Sequence, residues 1–217
     1  MNDLAATWSR WKEETFGTGY HIWHEGLDVR AVTRLKGQAR SRALAMLRLG
    51  RSLGDDHASE ALAAMGDAPT IAAMRARLDA GDPYLSPTTR VRIAAILHGI
   101  EPDPTLADHL VAVLAATCSK GQHWSPRIDA AIRLRAFSGA ADEAALLAAV
   151  ADRSYLVRYH ACESLLHRWR AGRRQLTDHP QLFALIRGPD DDAVPTADDL
   201  ARYDEARRHL RAFAARR

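Results

Sequence analysis

Five nine-residue segments align without gaps and repeat the same alternation of apolar and polar positions: 39–47, 57–65, 89–97, 126–134 and 157–165. The fifth position holds Ala43, Ala61, Ile93, Ala130 and Ala161, and the ninth holds Leu47, Met65, Leu97, Leu134 and Leu165. Residues four apart share a helical face, so each segment is predicted to be a helix with one buried stripe. Four copies carry arginine at the second position (Arg40, Arg90, Arg127 and Arg158), whereas the copy at 57–65 has Ala58 there. Further helices are predicted over 69–80, 104–118 and 141–151, separated by turns rich in Gly, Asp and Pro. The last three segments begin 37 and 31 residues apart, which suits one helix–turn–helix unit each. The first two, 18 apart, then form the two helices of a single unit. No such unit buries its stripe alone, and stacking supplies the core, which predicts an α-solenoid.

The two ends depart from this pattern. Leu4, Trp8 and Trp11 predict an amphipathic helix over 3–15. Thr196 and Asp199 form a capping-box pattern ahead of a last helix, with Leu200, Tyr203, Leu210 and Phe213 expected on its buried face. Solenoid ends expose apolar surface, so these two helices are expected to act as caps on a single domain. Residues 1–36 form the N-terminal cap region, 37–170 the repeats and 171–217 the C-terminal cap region. The acidic stretch 190–192 reads as a solvated linker, or as a phosphate mimic for a basic partner.

Composition agrees with an all-α class. The 217 residues include about 40 alanines, and 47% are hydrophobic, with mean hydropathy −0.28. Alanine is the best helix former. The longest uncharged apolar run, 110–118, is far shorter than the roughly 18–20 residues of a membrane span. The N-terminus carries acidic residues and no apolar core of a secretory signal, so a cytoplasmic location is expected. Cys118 and Cys162 do not make a disulfide framework. Net charge is +3. Residues 1–108 hold 13 basic against 14 acidic side chains, and the remainder 17 against 13. Six arginines between Arg153 and Arg174 face the single acid Glu163, a pattern that suits a solvated helix end better than a phosphate strip.

The segment 156–166, Leu-Val-Arg-Tyr-His-Ala-Cys-Glu-Ser-Leu-Leu, resembles the second helix of a HEAT-like repeat, and Arg40, Arg90, Arg127 and Arg158 match that family's recurrent arginine. The resemblance spans roughly 37–170. It implies a right-handed α-solenoid of HEAT-like helix pairs with N- and C-terminal capping helices. The motif specifies a fold and leaves function to the surface.

Signatures of enzymes are sparse. Phosphate-binding glycine loops, nucleophile elbows and CxxC pairs are absent from the sequence. The HEAT-like lysine hydroxylases bind iron through repeated His-Glu pairs, and here the pair occurs once, at His24–Glu25. His21 and His24 have ligand-like spacing, but no third ligand stands close by, so no metal and no other cofactor is expected. His160 and Cys162, two apart, point about 200° from each other on a helix and cannot form a nucleophile pair. No catalytic residue is assigned. The repeat arginines are expected to tie adjacent units together through acids or helix C-termini.

The candidate binding surface consists of Trp124, Tyr155, Tyr159, Arg92, Asp129, Arg133, His160 and Glu163. Trp124 and Tyr155 each lie two residues before an aligned segment, and so at equivalent points of neighbouring units. Ser125 and Pro126 read as N-cap and first helical residue, which puts Trp124 at the position before the cap. Its staple partner would be Asp129, which is not apolar, so the ring reads as an exposed anchor. The third and fourth positions, Val91 and Arg92, Ile128 and Asp129, Tyr159 and His160, are expected to point away from the core. This mixture suits recognition of one protein partner better than of nucleic acid or a membrane. The size and repeat pattern resemble small bacterial HEAT-like immunity proteins, which implies a non-enzymatic inhibitor, monomeric when free, that occludes a toxin domain. The alternative resemblance is to alkylpurine DNA glycosylases or bilin lyase subunits. The glycosylase version would require Arg92, Arg127, Arg133 and Arg158 with Asp129 and Trp124 to line one groove.

Overall fold

The computed structural model describes residues 2–82, 84–116, 124–169, 175–188 and 194–215. Among them the chain is all-helical, without strands. Cys118, the arginines at 170, 173 and 174 and the acidic stretch 190–192 lie outside the described residues, as do the side chains of Trp23, His24 and Glu25. The helices belong to two compact units, Met1–Leu85 with Ile96–Pro102, and Ser86–Ala95 with Asp103–Arg217. The division falls within α7 (Pro87–Ile100).

The first unit contains α1 (Asn2–Phe16), α2 (Gly19–Glu25), α3 (Arg30–Thr33), α4 (Gly37–Ser52), α5 (Asp56–Ala64) and α6 (Ala68–Asp79). Its core gathers Trp8, Val32, Ala43, Leu47, Ala58, Ala61, Leu62 and Met65. The aligned segments therefore bury their fifth and ninth positions, as the period requires. Leu4, in contrast, is exposed, and α1 docks through Trp8 with Trp11 packed beside it. The reason is the bare backbone of α4 at Gly50, against which the Trp8 ring lies flat enough that a Cβ there would meet it at 2.5 Å. Asp55 fixes the same corner. It caps α5 by accepting the His57 N–H at 2.9 Å, and also accepts from Trp8 Nε1 at 3.0 Å and Lys12 Nζ at 2.7 Å. These donors hold its carboxyl well below the usual carboxylate range against the opposing cost of burial.

The second unit contains α8 (Ala107–Ala115), α9 (Ser125–Arg133), α10 (Ala140–Ala149), α11 (Tyr155–Arg168), α12 (Pro180–Ile186) and α13 (Ala197–Ala214). Short 3-10 turns at Leu134–Ala136 and Leu176–Asp178 extend α9 and precede α12. α8 packs on α9 and α10, α11 packs on α9, α10, α12 and α13, and α12 packs on α13. Ala130, Leu134, Ala161 and Leu165 are buried, as the repeat predicts. Val91 and Ile128, expected outward, are buried as well. For Ile128 the cause is plain: α9 lies against both α8 and α11, and a helix between two neighbours buries two stripes. On α13 the Thr196–Asp199 capping box forms as predicted. The buried face runs through Asp199, Tyr203, Ala206 and Leu210, and Leu200 is exposed.

The repeat arginines act inside the structure. Arg40 donates to the Met65 carbonyl at 2.7 Å. Arg127 is ion-paired with Asp152 of the following helix pair. Arg158 is fully buried and donates through Nε to the Ile186 carbonyl at 2.9 Å, and through Nη1 to the carbonyls of Asp152 and Arg153 at 2.7 and 2.9 Å. Arg168 is also turned inward, onto the carbonyls of Leu134, Phe137 and Gly139. Within the arginine-rich stretch after Arg153, Arg158 and Arg168 are thus internal clamps and not parts of a solvated face.

Candidate functional site

Three helices bring most of the predicted surface together within the second unit. α7 carries Arg92, α9 carries Asp129 and Arg133, and α11 carries Tyr155, Tyr159, His160 and Glu163. Asp129 and Arg133, four apart, share one face of α9, and Tyr155, Tyr159 and Glu163 share one face of α11 at the same spacing. Asp129 lies in the field of Arg133, Arg92 and His160. His160 Nδ1 stands 3.9 Å from Glu163 Oε2. The Tyr159 ring sits 6.2 Å from Tyr155, 5.2 Å from His160 and 6.4 Å from Phe183 of α12.

Trp124 is the one predicted residue outside this chain of contacts among the described residues. The residue is 40% exposed. The helix register differs from expectation, however. α9 begins at Ser125, and Trp124 is itself the N-cap, with its carbonyl accepting the N–H groups of Arg127 and Ile128. Pro126 therefore occupies the second helical position, where its missing N–H costs nothing. Tyr155 is the first residue of α11, so the two aromatic residues are offset by one position relative to their helices.

Partial burial gives this face unusual electrostatics. Burial pushes the Asp129 carboxyl up from its ordinary value, although Arg133, Arg92 and His160 all oppose the shift. Its side chain accepts no hydrogen bond among the described residues. Burial pushes the His160 imidazole down, against Glu163, and its Nδ1 has no hydrogen-bond partner. The Tyr159 phenol is pushed up by burial and by its hydrogen bond to Glu163. Cys162, by contrast, is wholly enclosed, and burial raises its thiol far from reactivity.

This yields a signed prediction for Asp129. Its folded value lies above its unfolded one, so the native state holds the proton more tightly and stability falls as pH rises through the folded value. Asp129→Asn removes that loss. The variant is expected to melt about 1–3 °C above the parent at neutral pH, with the gap closing below the ordinary carboxylate value. Thermal unfolding at pH 7.5 and at pH 3 measures this, and a variant less stable than the parent at pH 7.5 contradicts it.

Residues missed from sequence complete the site. Arg135 follows the α9 segment in a 3-10 turn and donates from Nε to Ser164 Oγ at 2.9 Å and from Nη2 to Glu163 Oε2 at 3.5 Å. Glu163 Oε1 also accepts the Leu176 N–H at 3.3 Å. Together Arg135, Tyr159, Glu163, His167, Gln175 and Thr177 line a recess of about 430 Å³. The only sequence signal for Arg135 was its place just past the ninth repeat position. Among the described residues no group of three His, Cys, Asp or Glu side chains is placed to hold a metal ion, and no helix is long and apolar enough to cross a membrane. Comparison with protein-family models, with curated proteins and with solved structures returns no match.

Proposed function

We propose that the face carried by α7, α9 and α11 binds one protein partner, and that the chain is an immunity protein that neutralises a bacterial toxin domain by occluding it. The observation that carries this reading is the run of half-buried aromatic and charged side chains from Arg92 through Asp129 and His160 to Tyr159, in which burial disfavours the charged forms of Asp129 and His160 and the His160 Nδ1 has no hydrogen-bond partner. Such a mixture of aromatic rings and arginine is what binding hot spots are made of. The scaffold in this proposal is a right-handed HEAT-like solenoid. Contacts of α8 with α10 and of α9 with α11 support it, being those of one helix pair stacked on the next. The protein acts in the cytoplasm as a monomer until bound, without a cofactor and without chemistry of its own.

The glycosylase-like alternative loses two of its four arginines. Arg158 is fully buried on backbone carbonyls, and Arg127, although it lines a recess of about 470 Å³, is ion-paired there with Asp152, so neither guanidinium is left for DNA phosphates.

Affinity capture of the tagged chain from its host lysate, with and without nuclease, tests the reading. One stoichiometric protein that survives nuclease supports it, and recovery of nucleic acid alone refutes it. Trp124→Ala and Tyr155→Ala are then expected to weaken that complex about tenfold or more each, while Trp124→Ala shifts stability by less than about 1 kcal/mol. If both variants melt early and bind the partner as tightly as the parent, the rings are core residues and the face is misassigned.

A further inference from the structure

We infer that the recess between α11 and the Leu176–Asp178 turn receives an acidic side chain of the protein partner, with Arg135 as its receptor. This rests on the protein-binding reading above and specifies the chemistry of its contact.

Donors and acceptors in the recess are unequally committed. Glu163, the one carboxylate in the recess lining, already accepts from the Leu176 N–H and from Arg135 and lies beside the Tyr159 phenol. These partners occupy both of its oxygens, so it offers less to an incoming cation. The donors are in surplus. Arg135 uses Nε on Ser164 and one Nη2 hydrogen on Glu163 at the long distance of 3.5 Å. Its Nη1 group makes no hydrogen bond among the described residues, and the side chain is 27% exposed. The Gln175 amide and the Thr177 hydroxyl, both exposed on the opposite wall, likewise make no side-chain hydrogen bond among the described residues. A group that only accepts, and accepts from two or more donors at once, fits this lining, and an ionised carboxylate is such a group.

Charge narrows the choice further. Arg135 and Glu163 together leave the lining close to neutral, so a singly charged carboxylate meets less repulsion there than a dianion. A phosphate dianion would set two charges against one cation and meet the Glu163 carboxylate as well. On the same face Arg92 and Arg133 add positive field around a carboxylate-bearing partner, which favours encounter with an acidic surface.

The test uses the full chain labelled with 15N and two blocked tripeptides, acetyl-Gly-Asp-Gly-amide and acetyl-Gly-Asn-Gly-amide, with acetate and inorganic phosphate as further probes. The Asp peptide is expected to shift the Arg135 Nε signal and the amides of Leu176 and Thr177 saturably, with the Asn peptide about tenfold weaker or more. Arg135→Lys is expected to lose about tenfold, because an ammonium cannot form the planar fork. Gln175→Ala with Thr177→Ala, at two exposed positions that leave the fold intact, is expected to lose about threefold. Equal shifts from both peptides, no shift from either, phosphate bound about tenfold more tightly than the Asp peptide, or acetate bound while the peptide is excluded would each overturn the assignment. A captured partner whose affinity is unchanged in the Gln175→Ala, Thr177→Ala variant overturns the recess assignment alone. Asp-peptide binding without any captured protein supports the recess chemistry and defeats the protein-binding reading.

Discussion

Replacing Arg158 with methionine is expected to destabilise the protein by about 3–5 kcal/mol, the largest effect of any single substitution considered. The side chain is fully buried, and its guanidinium lies 4.6 Å from the Tyr203 ring centroid. Three backbone carbonyls depend on it: those of Asp152 and Arg153 at the turn before α11, and that of Ile186 at the end of α12. Methionine fills much of the volume but supplies no donor, so three carbonyls lose a charge-assisted bond at once. Arg158→Lys is expected to recover less than half of the loss. An ammonium is a point donor, and it cannot reach carbonyls on two sides while stacking on the tyrosine. Urea titration of the two variants measures this, and a methionine variant within about 1 kcal/mol of the parent would show the carbonyls to be satisfied some other way. Hydrogen exchange adds a local readout, because α12 and α13 should lose protection before α8 and α9.

The second large effect is at Gly50. In a helix interior alanine is ordinarily better than glycine by about 1 kcal/mol, so Gly50→Ala would stabilise an isolated α4. In the protein it is expected to destabilise by about 2 kcal/mol. The added Cβ would stand 2.5–2.7 Å from three atoms of the Trp8 ring. That ring cannot swing aside cheaply, because its Nε1 is tied to Asp55 and its face meets Trp11 at a centroid distance of 5.6 Å. The decisive comparison is the double variant. With Trp8→Leu in place the obstruction is gone, and Gly50→Ala should change sign and stabilise. Thermal unfolding of the four proteins in this cycle reads it directly, and a Gly50→Ala penalty that persists without the Trp8 ring would mean that the obstruction lies elsewhere.

Both predictions turn on contacts that periodicity alone does not contain. The repeat correctly placed Ala43, Leu47, Ala130, Leu134, Ala161 and Leu165 in cores, because residues four apart must share a stripe whatever their surroundings. It also gave the repeat arginines an internal role, and Arg127 and Arg158 have one. What it could not supply is how many neighbours a helix has. Ile128 and Val91 were expected outward and are buried, and Leu4 and Leu200 were expected inward and are exposed. Small residues hide the rest: Gly50 and Ala206 are buried without a hydrophobic signal to announce them, and each sits where another element comes close. The candidate face was legible for the opposite reason, since charged and aromatic residues at non-core positions of repeated helices stand out. Arg135 did not stand out. Its role depends on Ser164 and Glu163, 29 and 28 residues further along, and on a 3-10 turn with no period of its own.

Four of the arginine clamps grip main chain. Arg158 holds three carbonyls, Arg168 holds those of Leu134, Phe137 and Gly139, Arg207 holds Leu147 and Ala148 at 2.9 Å each, and Arg40 holds Met65. A carbonyl is present whatever amino acid bears it, so these joints are indifferent to the side chains of the positions they fasten. Substitutions at such positions leave the fastening in place, provided the backbone keeps its path. Descendants of this sequence can therefore change the side chains at the fastened positions while the frame keeps its joints.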